Sequence, residues 1–234
     1  YLDENNVEQF VWQTSWGVST RMIGGLIMAH SDDNGLVLPP KMATNQVVIT
    51  TIFAKPEDEQ IVNKKAEEIA LSLKDAGVRV KVDSRDLRPG EKFYGWEKKG
   101  VPIRLEIGPK DVANNSLILA RRDTGEKETV QISEVVKVVT EKLETIQKDL
   151  LSKARAFRES RTKPVDTWED FKQSIEEGYF VSAHWDGTAE TEAKIKEETA
   201  ATIRCIPFDQ PEESGKCVLS ANPSSKRVIF ARAY

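Results

Sequence analysis

Residues 46–83 read QVVITTIFAKPEDEQIVNKKAEEIALSLKDAGVRVKVD, the segment with the clearest pattern in the chain. Its opening β-branched run, QVVITTIFA (46–54), suits a strand covered on both faces. A helix is predicted next. Pro56 fits its first turn, Glu57, Asp58 and Glu59 complement the positive end of the helix dipole, and Gly77 supplies the stop. Ile61, Val62, Ala66, Ile69, Ala70 and Leu73 recur at helical spacing and share one face. VRVKVD (78–83) then returns as a strand. Strand, long helix, strand predicts a parallel pair, because a hairpin turn cannot join parallel neighbours.

After this unit a short helix is predicted from Glu91 to Lys99, and VPIRLEIG (101–108) reads as a strand. SLILARRDTGEKETVQI (116–132) reads as a hairpin turning at Asp123-Thr124-Gly125. Ser133 is placed to cap a long helix carrying Val136, Val139, Leu143, Ile146, Leu150 and Phe157 on one face. Residues 44–150 therefore form an α/β domain with a mixed sheet. The basic segment SKARAFRESRTKP (152–164) marks a boundary. Beyond it, residues 151–234 read as a small α+β module. Its helices are predicted over 167–178 and 188–200, and its strands over YFVSAHW (179–185), TIRCIPF (202–208) and RVIFARAY (227–234).

A chain of 234 residues, 39% hydrophobic and 31% charged, has apolar material for more than one core. A net charge of −4 excludes a uniformly cationic surface but leaves room for a local nucleic-acid patch, since the regional field is what a partner feels. Two cysteines and no apolar run of membrane-spanning length predict a reduced, cytoplasmic setting. YLDENNVEQF (1–10) has neither a basic nor an apolar region of a signal peptide, and the missing initial Met predicts a piece of something longer.

The stretch WQTSWGVSTRMIGGLIMAHSDDNGLVLPP (12–40) shows no clean period. Arg21 reads either as a surface charge or, among small and apolar neighbours, as a fork held in a cleft to grip phosphate or carboxylate. Gly24 and Gly25 fit close approach of backbone to a ligand or a tight helix contact equally well.

That stretch resembles the motif 3 region of the prolyl-tRNA synthetase family, archaeal and eukaryotic-like type. DLRPGEKFYGWEKKGVPIRLEIGPKD (86–111) and RRDTGEK (121–127) resemble the family's anticodon-binding domain, and AKIKEETAATIRCIPF (193–208) with FARAY (230–234) resembles its C-terminal domain. The resemblance covers nearly the whole chain in order. It implies three parts: a remnant of a class II catalytic domain over 1–43, an anticodon-binding domain over 44–150, and a relative of the family's zinc domain over 151–234. It also implies activation of proline by ATP with Mg2+ and transfer to tRNA(Pro), by an enzyme expected to be a homodimer with no membrane association. Motifs 1 and 2 of the family have no counterpart in these residues, so the expectation is a C-terminal portion inactive by itself.

In the match Arg21 takes the place of the motif 3 arginine that binds ATP phosphate. Gln13, Thr14, Ser15, Trp16 and Ser19 fall where the family lines its ATP and proline pockets, and His30 lies in the same region. For Trp16 and His30 a plain core role stays open. Glu97, Arg104, Asp111 and Lys127 match the family's anticodon-reading positions, and Phe93 is a candidate stacking platform beside them. Their chemistry suits guanine: carboxylates accept from N1 and N2, cations donate to O6 and N7, and an aromatic ring stacks. Without the resemblance, Glu97 reads as a solvated helix charge and Arg104 as a strand-edge cation. Lys81, Arg85, Arg88, Lys98 and Lys99 are candidate phosphate contacts.

Many relatives hold zinc in the last domain with cysteines. Here the aligned positions are Asp186, Thr191, Cys217 and Leu219, of which Leu219 cannot bind a metal, so no zinc is expected. His184 is a weak replacement ligand, and Cys205, in an apolar pattern, is expected to be buried. The resemblance directs the final Tyr234 towards the active site. A free-standing tRNA-binding or protein-interaction module without catalysis is the rival reading.

Overall fold

The computed structural model describes residues 1–232, so the role expected for Tyr234 lies outside the described residues. The chain divides into two compact units, residues 1–150 and a second unit from Leu151 onward. The first opens with an extended segment and α1 (Arg21–His30). Its sheet comprises β1 (Val47–Thr51), β2 (Val80–Asp83), β3 (Ile103–Ile107), β4 (Ser116–Arg121) and β5 (Lys127–Gln131), in the order β2-β1-β3-β4-β5. β1 is parallel to both β2 and β3, with Val47 opposite Val80 and Ile103, while β4 is antiparallel to both β3 and β5. The mixed sheet is as expected.

Strand alternation sorts this sheet into two different faces. Val47, Ile49, Ile103, Leu105, Ile107, Leu117, Leu119 and Val130 form one core with two helices, α2 (Pro56–Asp75) and α5 (Val135–Ser160). α2 buries Val62, Ala66, Ile69, Ala70 and Leu73 and stops where Gly77, at φ +80°, donates to Lys74 O at 2.8 Å. Each fully buried Val, Leu or Ile contributes roughly 1.5–3 kcal/mol, whereas an exposed helical ion pair contributes about 0.2–0.5 kcal/mol, so packing holds the helix. The opposite face carries Val48 against Trp96 of α3 (Pro89–Lys98), and a short α4 (Pro109–Ala113) follows β3. Ile61, expected on the buried face of α2, is exposed, as is Phe157 on the last turns of α5. α5 runs without a break to Ser160, so most of the basic segment predicted as a boundary is helical.

The second unit has the sheet order β6-β7-β11-β8, built from β6 (Thr162–Pro164), β7 (Phe180–His184), β8 (Ala201–Cys205) and β11 (Arg227–Arg232). α6 (Trp168–Glu176) and α7 (Ala189–Thr199) start at Thr167 and Thr188, whose hydroxyls accept from Asp170 N and Thr191 N. A small ribbon, β9 (Gly215–Lys216) with β10 (Pro223–Ser224), was not predicted. Phe171 and Phe230 meet edge to face at 5.1 Å in the core with Val181, Ile195 and Val228. Cys205 corrects the expectation of burial: it is exposed at the end of β8, where the pairing with β11 slips register between Ile229 and Phe230.

Candidate nucleic-acid interface

On the α3 face of the first sheet, period-two alternation sends Arg104 and Glu106 of β3 to the same side, next to Lys127 of β5. α3 lies over this side because Trp96 packs on Val48 and Val101. One turn before Trp96, Phe93 is therefore brought over the strand cations. Arg104 Cζ stands 4.2 Å from its ring centroid and Lys127 Nζ 5.5 Å. Arg104 donates through Nη1 to Glu97 Oε1 at 2.9 Å and through Nε to Glu106 Oε1 at 3.1 Å. Lys127 Nζ donates to the same Glu106 Oε1 at 3.0 Å.

Four of the five expected anticodon-reading residues thus meet: Phe93, Glu97, Arg104 and Lys127. Glu106 belongs with them and was missed, although the Ile-Arg-Leu-Glu-Ile alternation of β3 already set it beside Arg104. Arg104 is also buried on an interior strand, not the edge cation its sequence setting suggested. Asp111 stands apart. Its Oδ2 accepts from Gly108 N at 2.8 Å at the start of α4, and among the described residues it shares no hydrogen bond with the other four.

Glu97, Arg104 and Lys127 of the cluster line a pocket of about 240 Å³ together with Asp32, Asn34 and Arg122. The whole cluster, with Phe93 and Glu106 beside them, offers two carboxylates, two cations and one aromatic face within a few ångströms. That set can accept from a base edge, donate to another, and stack a ring.

Deeper under α3, Asp83 at the end of β2 accepts from Arg85 Nε and Nη2 at 2.7 Å each and from Trp96 Nε1 at 2.6 Å. Burial pushes its carboxyl up, but the bonds from Arg85 and Trp96 outweigh that and hold it at about 2. The buried Lys92 Nζ donates to Thr51 O at 2.8 Å and Asp83 O at 3.3 Å. Burial draws the Lys92 ammonium down, and nearby Asp83 opposes this.

The residues expected around ATP and proline are not assembled into a pocket. Gln13, Thr14, Ser15, Trp16 and Ser19 lie exposed on a segment without helix or strand. Arg21, expected in a cleft, is exposed at the start of α1, a helix with no buried residue. Its apolar neighbours Met22 and Ile23 are exposed with it, so nothing in residues 1–232 forms a wall around the guanidinium. His30 is half-buried at the end of α1.

In the second unit two of the four positions aligned with zinc ligands, Asp186 and Thr191, touch, and the loop that follows Cys217 and Leu219 reaches the same carboxylate through Ser220 and Asn222. Asp186 Oδ2 accepts from Ser220 Oγ at 2.6 Å, Thr191 Oγ1 at 2.9 Å and Asn222 Nδ2 at 3.3 Å. Its Oδ1 accepts from Thr188 N at 3.1 Å and Thr188 Oγ1 at 2.9 Å. Burial raises this carboxyl, and the bonds from Ser220, Thr188 and Thr191 more than reverse it, to well below the usual carboxylate range. The donor set does not fit structural zinc. The carboxylate is committed to five protein donors, Cys217 is the one thiol, and no three His, Cys, Asp or Glu side chains gather among the described residues. His184 Nδ1 instead lies 3.1 Å from Ser224 Oγ.

Comparison with known proteins agrees with this organisation. A family model described as an anticodon binding domain matches residues 46–142, and one described as prolyl-tRNA synthetase, C-terminal, matches residues 168–234. Among curated proteins, proline--tRNA ligase of Bacteroides fragilis is 52% identical over 239 aligned residues, covering 100% of this chain and 48% of the relative. The proteins of the same name from Porphyromonas gingivalis and Flavobacterium johnsoniae are 50% and 51% identical, again over 100% of this chain and 48% of their own length. The chain thus spans about half the length of the curated relatives it matches. Its middle and final segments match in order and its full length aligns to these relatives, so the chain is similar along its length to about half of a prolyl-tRNA synthetase.

Proposed function

We propose that this protein is a proline--tRNA ligase that activates L-proline with ATP and Mg2+ and transfers it to tRNA(Pro), and that residues 44–150 read the guanines of the anticodon. The observation that carries the reading is the cluster of Phe93, Glu97, Arg104, Glu106 and Lys127 on one sheet face. Two acceptors, two donors and a stacking ring are what a splayed guanine needs. Asp111 belongs to the reading as a fifth polar partner reached from α4. Residues 1–43 belong to the class II catalytic domain, with Arg21 on ATP phosphate, Gln13, Thr14, Ser15, Trp16 and Ser19 around ATP and proline, and His30 beside them. Residues 151–234 form the C-terminal domain. The exposed apolar side chains Phe10, Trp12, Trp16 and Val18 suit a segment that is covered in a complete catalytic domain. The active enzyme is a cytoplasmic homodimer in this reading; among the described residues no helix is long and apolar enough to cross a membrane. These 234 residues alone are expected to bind tRNA(Pro) without aminoacylating it.

Filter binding or fluorescence anisotropy with tRNA(Pro) transcripts tests the anticodon reading. Replacing each anticodon guanine by adenine is expected to weaken binding by about 5- to 150-fold, the span of one good base contact. Equal affinity for a transcript with an unrelated anticodon overturns it.

The second unit stands without zinc in this reading, its 186–191 turn tied to the 217–222 loop by Asp186. Purified protein should carry no stoichiometric zinc, and EDTA should leave its thermal transition in place. Asp186→Ala strands five hydrogen bonds near the surface and is expected to lower stability by about 1–3 kcal/mol. Stoichiometric zinc by elemental analysis overturns the metal-free reading.

A further inference from the structure

Between α1 and β1 the chain folds over the C-terminal end of α3. Asp32 and Gly35 close a turn through mutual backbone bonds, Gly35 N to Asp32 O at 3.1 Å and Asp32 N to Gly35 O at 3.2 Å. The strap continues with Leu36 N donating to Lys98 O at 3.2 Å and Leu38 N to Gly100 O at 3.3 Å. Contact here is close enough to require glycine on both sides. A Cβ on Gly35, at φ +134°, would come within 2.6 Å of Lys98 Cα, and one on Gly100, at φ +69°, within 2.7 Å of Leu36.

A single guanidinium ties this strap to the candidate interface. Arg122 follows β4, its side chain only 7% exposed. It donates through Nη2 and Nη1 to the two oxygens of Asp32, at 2.5 and 2.8 Å, and through Nε to the main-chain oxygen of Glu97 at 3.1 Å. Such a two-pronged pair fixes orientation as well as distance. Glu97 is thereby held twice, by its backbone to Arg122 and by its carboxylate to Arg104.

We propose that Asp32 is a positioning residue for anticodon recognition: through Arg122 it fixes the end of α3 that presents Glu97, so the segment before the sheet helps set the guanine selectivity of the pocket. This rests on the anticodon reading above. Neither residue needs to touch a base, because a small displacement of Glu97 suffices to misalign an acceptor with a base edge. Asp32 and Arg122 line the same pocket as Glu97, Arg104 and Lys127, so the strap forms one of its walls. The arrangement also joins the segment assigned to the catalytic domain to the recognition surface by contiguous contacts.

The test compares the 234-residue chain with its Asp32→Ala and Arg122→Lys variants. Each is titrated with tRNA(Pro) carrying the native anticodon and with the guanine-to-adenine transcript. The ratio of the two affinities is read, not either affinity alone. Both variants are expected to shrink that ratio by about 3- to 30-fold, the range of coupling carried through one contact chain. Asp32→Asn, which keeps an acceptor for the turn and for one prong of Arg122, should recover part of it. A purely structural role would weaken both transcripts by the same factor. That result, or an unchanged ratio in both variants, overturns the positioning role. A wild-type ratio of one sinks the anticodon reading itself, and the positioning role with it.

Discussion

Asp83→Ala is expected to lower the stability of the first unit by about 3–5 kcal/mol at pH 7, the scale seen when one member of a buried charge group is removed. The Asp83 side chain is only 1% exposed, and it binds Arg85 and Trp96 at once. Arg85 is half in solvent and recovers its hydration when the carboxylate goes. Trp96 Nε1–H and the Lys92 ammonium do not. The indole is left with a buried, unpaired donor, and Lys92 loses the charge that opposes its desolvation. Urea unfolding at pH 7 measures the loss. A midpoint shift corresponding to less than about 1 kcal/mol, the worth of an ordinary surface pair, would mean the group is solvated.

The same carboxylate dictates a pH dependence. Its pKa is about 2 folded against 3.8 for an ordinary Asp, so between those values the unfolded chain binds more protons than the folded one. Its contribution is therefore fully present above about pH 4 and is lost as pH falls towards 2. A shift of that size corresponds to about 2 kcal/mol. Asp83→Asn removes the titration, so its stability should fall less steeply between pH 4 and pH 2 than that of the native chain.

Why the sheet was legible and the recognition pocket only partly so follows from the range of each signal. The β-branched run of β1, Pro56 with its acidic followers, and Gly77 each act within a few residues, so sequence order alone places β1, α2 and β2. Arg104 and Glu106 carry the alternation of a half-solvated strand. Their burial comes from α3 crossing above them, anchored by Trp96, which no window on β3 contains. The pair Asp32–Arg122 spans 90 residues and has no local mark at all. Arg21 shows a different limit. Its neighbours leave a surface charge and a covered guanidinium both open, because cover is supplied by whatever packs on a segment, and among the described residues α1 buries nothing. Cys205 was misplaced for a related reason, since the apolar pattern continues past the point where β8 loses register with β11.

Arg104→Ala is expected to have the largest effect on RNA binding, a loss of roughly 100-fold or more for tRNA(Pro), at or above the upper end of the 1–3 kcal/mol of a single base contact. The arginine does three things at once. It presents donors in the pocket, packs its guanidinium on Phe93, and holds Glu97 and Glu106 by bonds of 2.9 and 3.1 Å. Removing it also leaves two close carboxylates facing an anionic ligand, with Lys127, half in solvent, as the remaining cation of the cluster. Lys127→Ala, which keeps the Arg104 fork intact, should cost only about 5- to 30-fold, in line with one exposed contact. Arg104→Lys retains the charge but cannot span Glu97 and Glu106 together, and should fall between the two. Recognition and folding separate in the double variant Arg104→Ala/Glu106→Gln. Neutralising Glu106 relieves the unpaired charge, so thermal stability should recover most of its loss while tRNA affinity stays low. If affinity recovers in step with stability, Arg104 is a structural ion-pair partner and the guanine-reading role passes to the other members of the cluster.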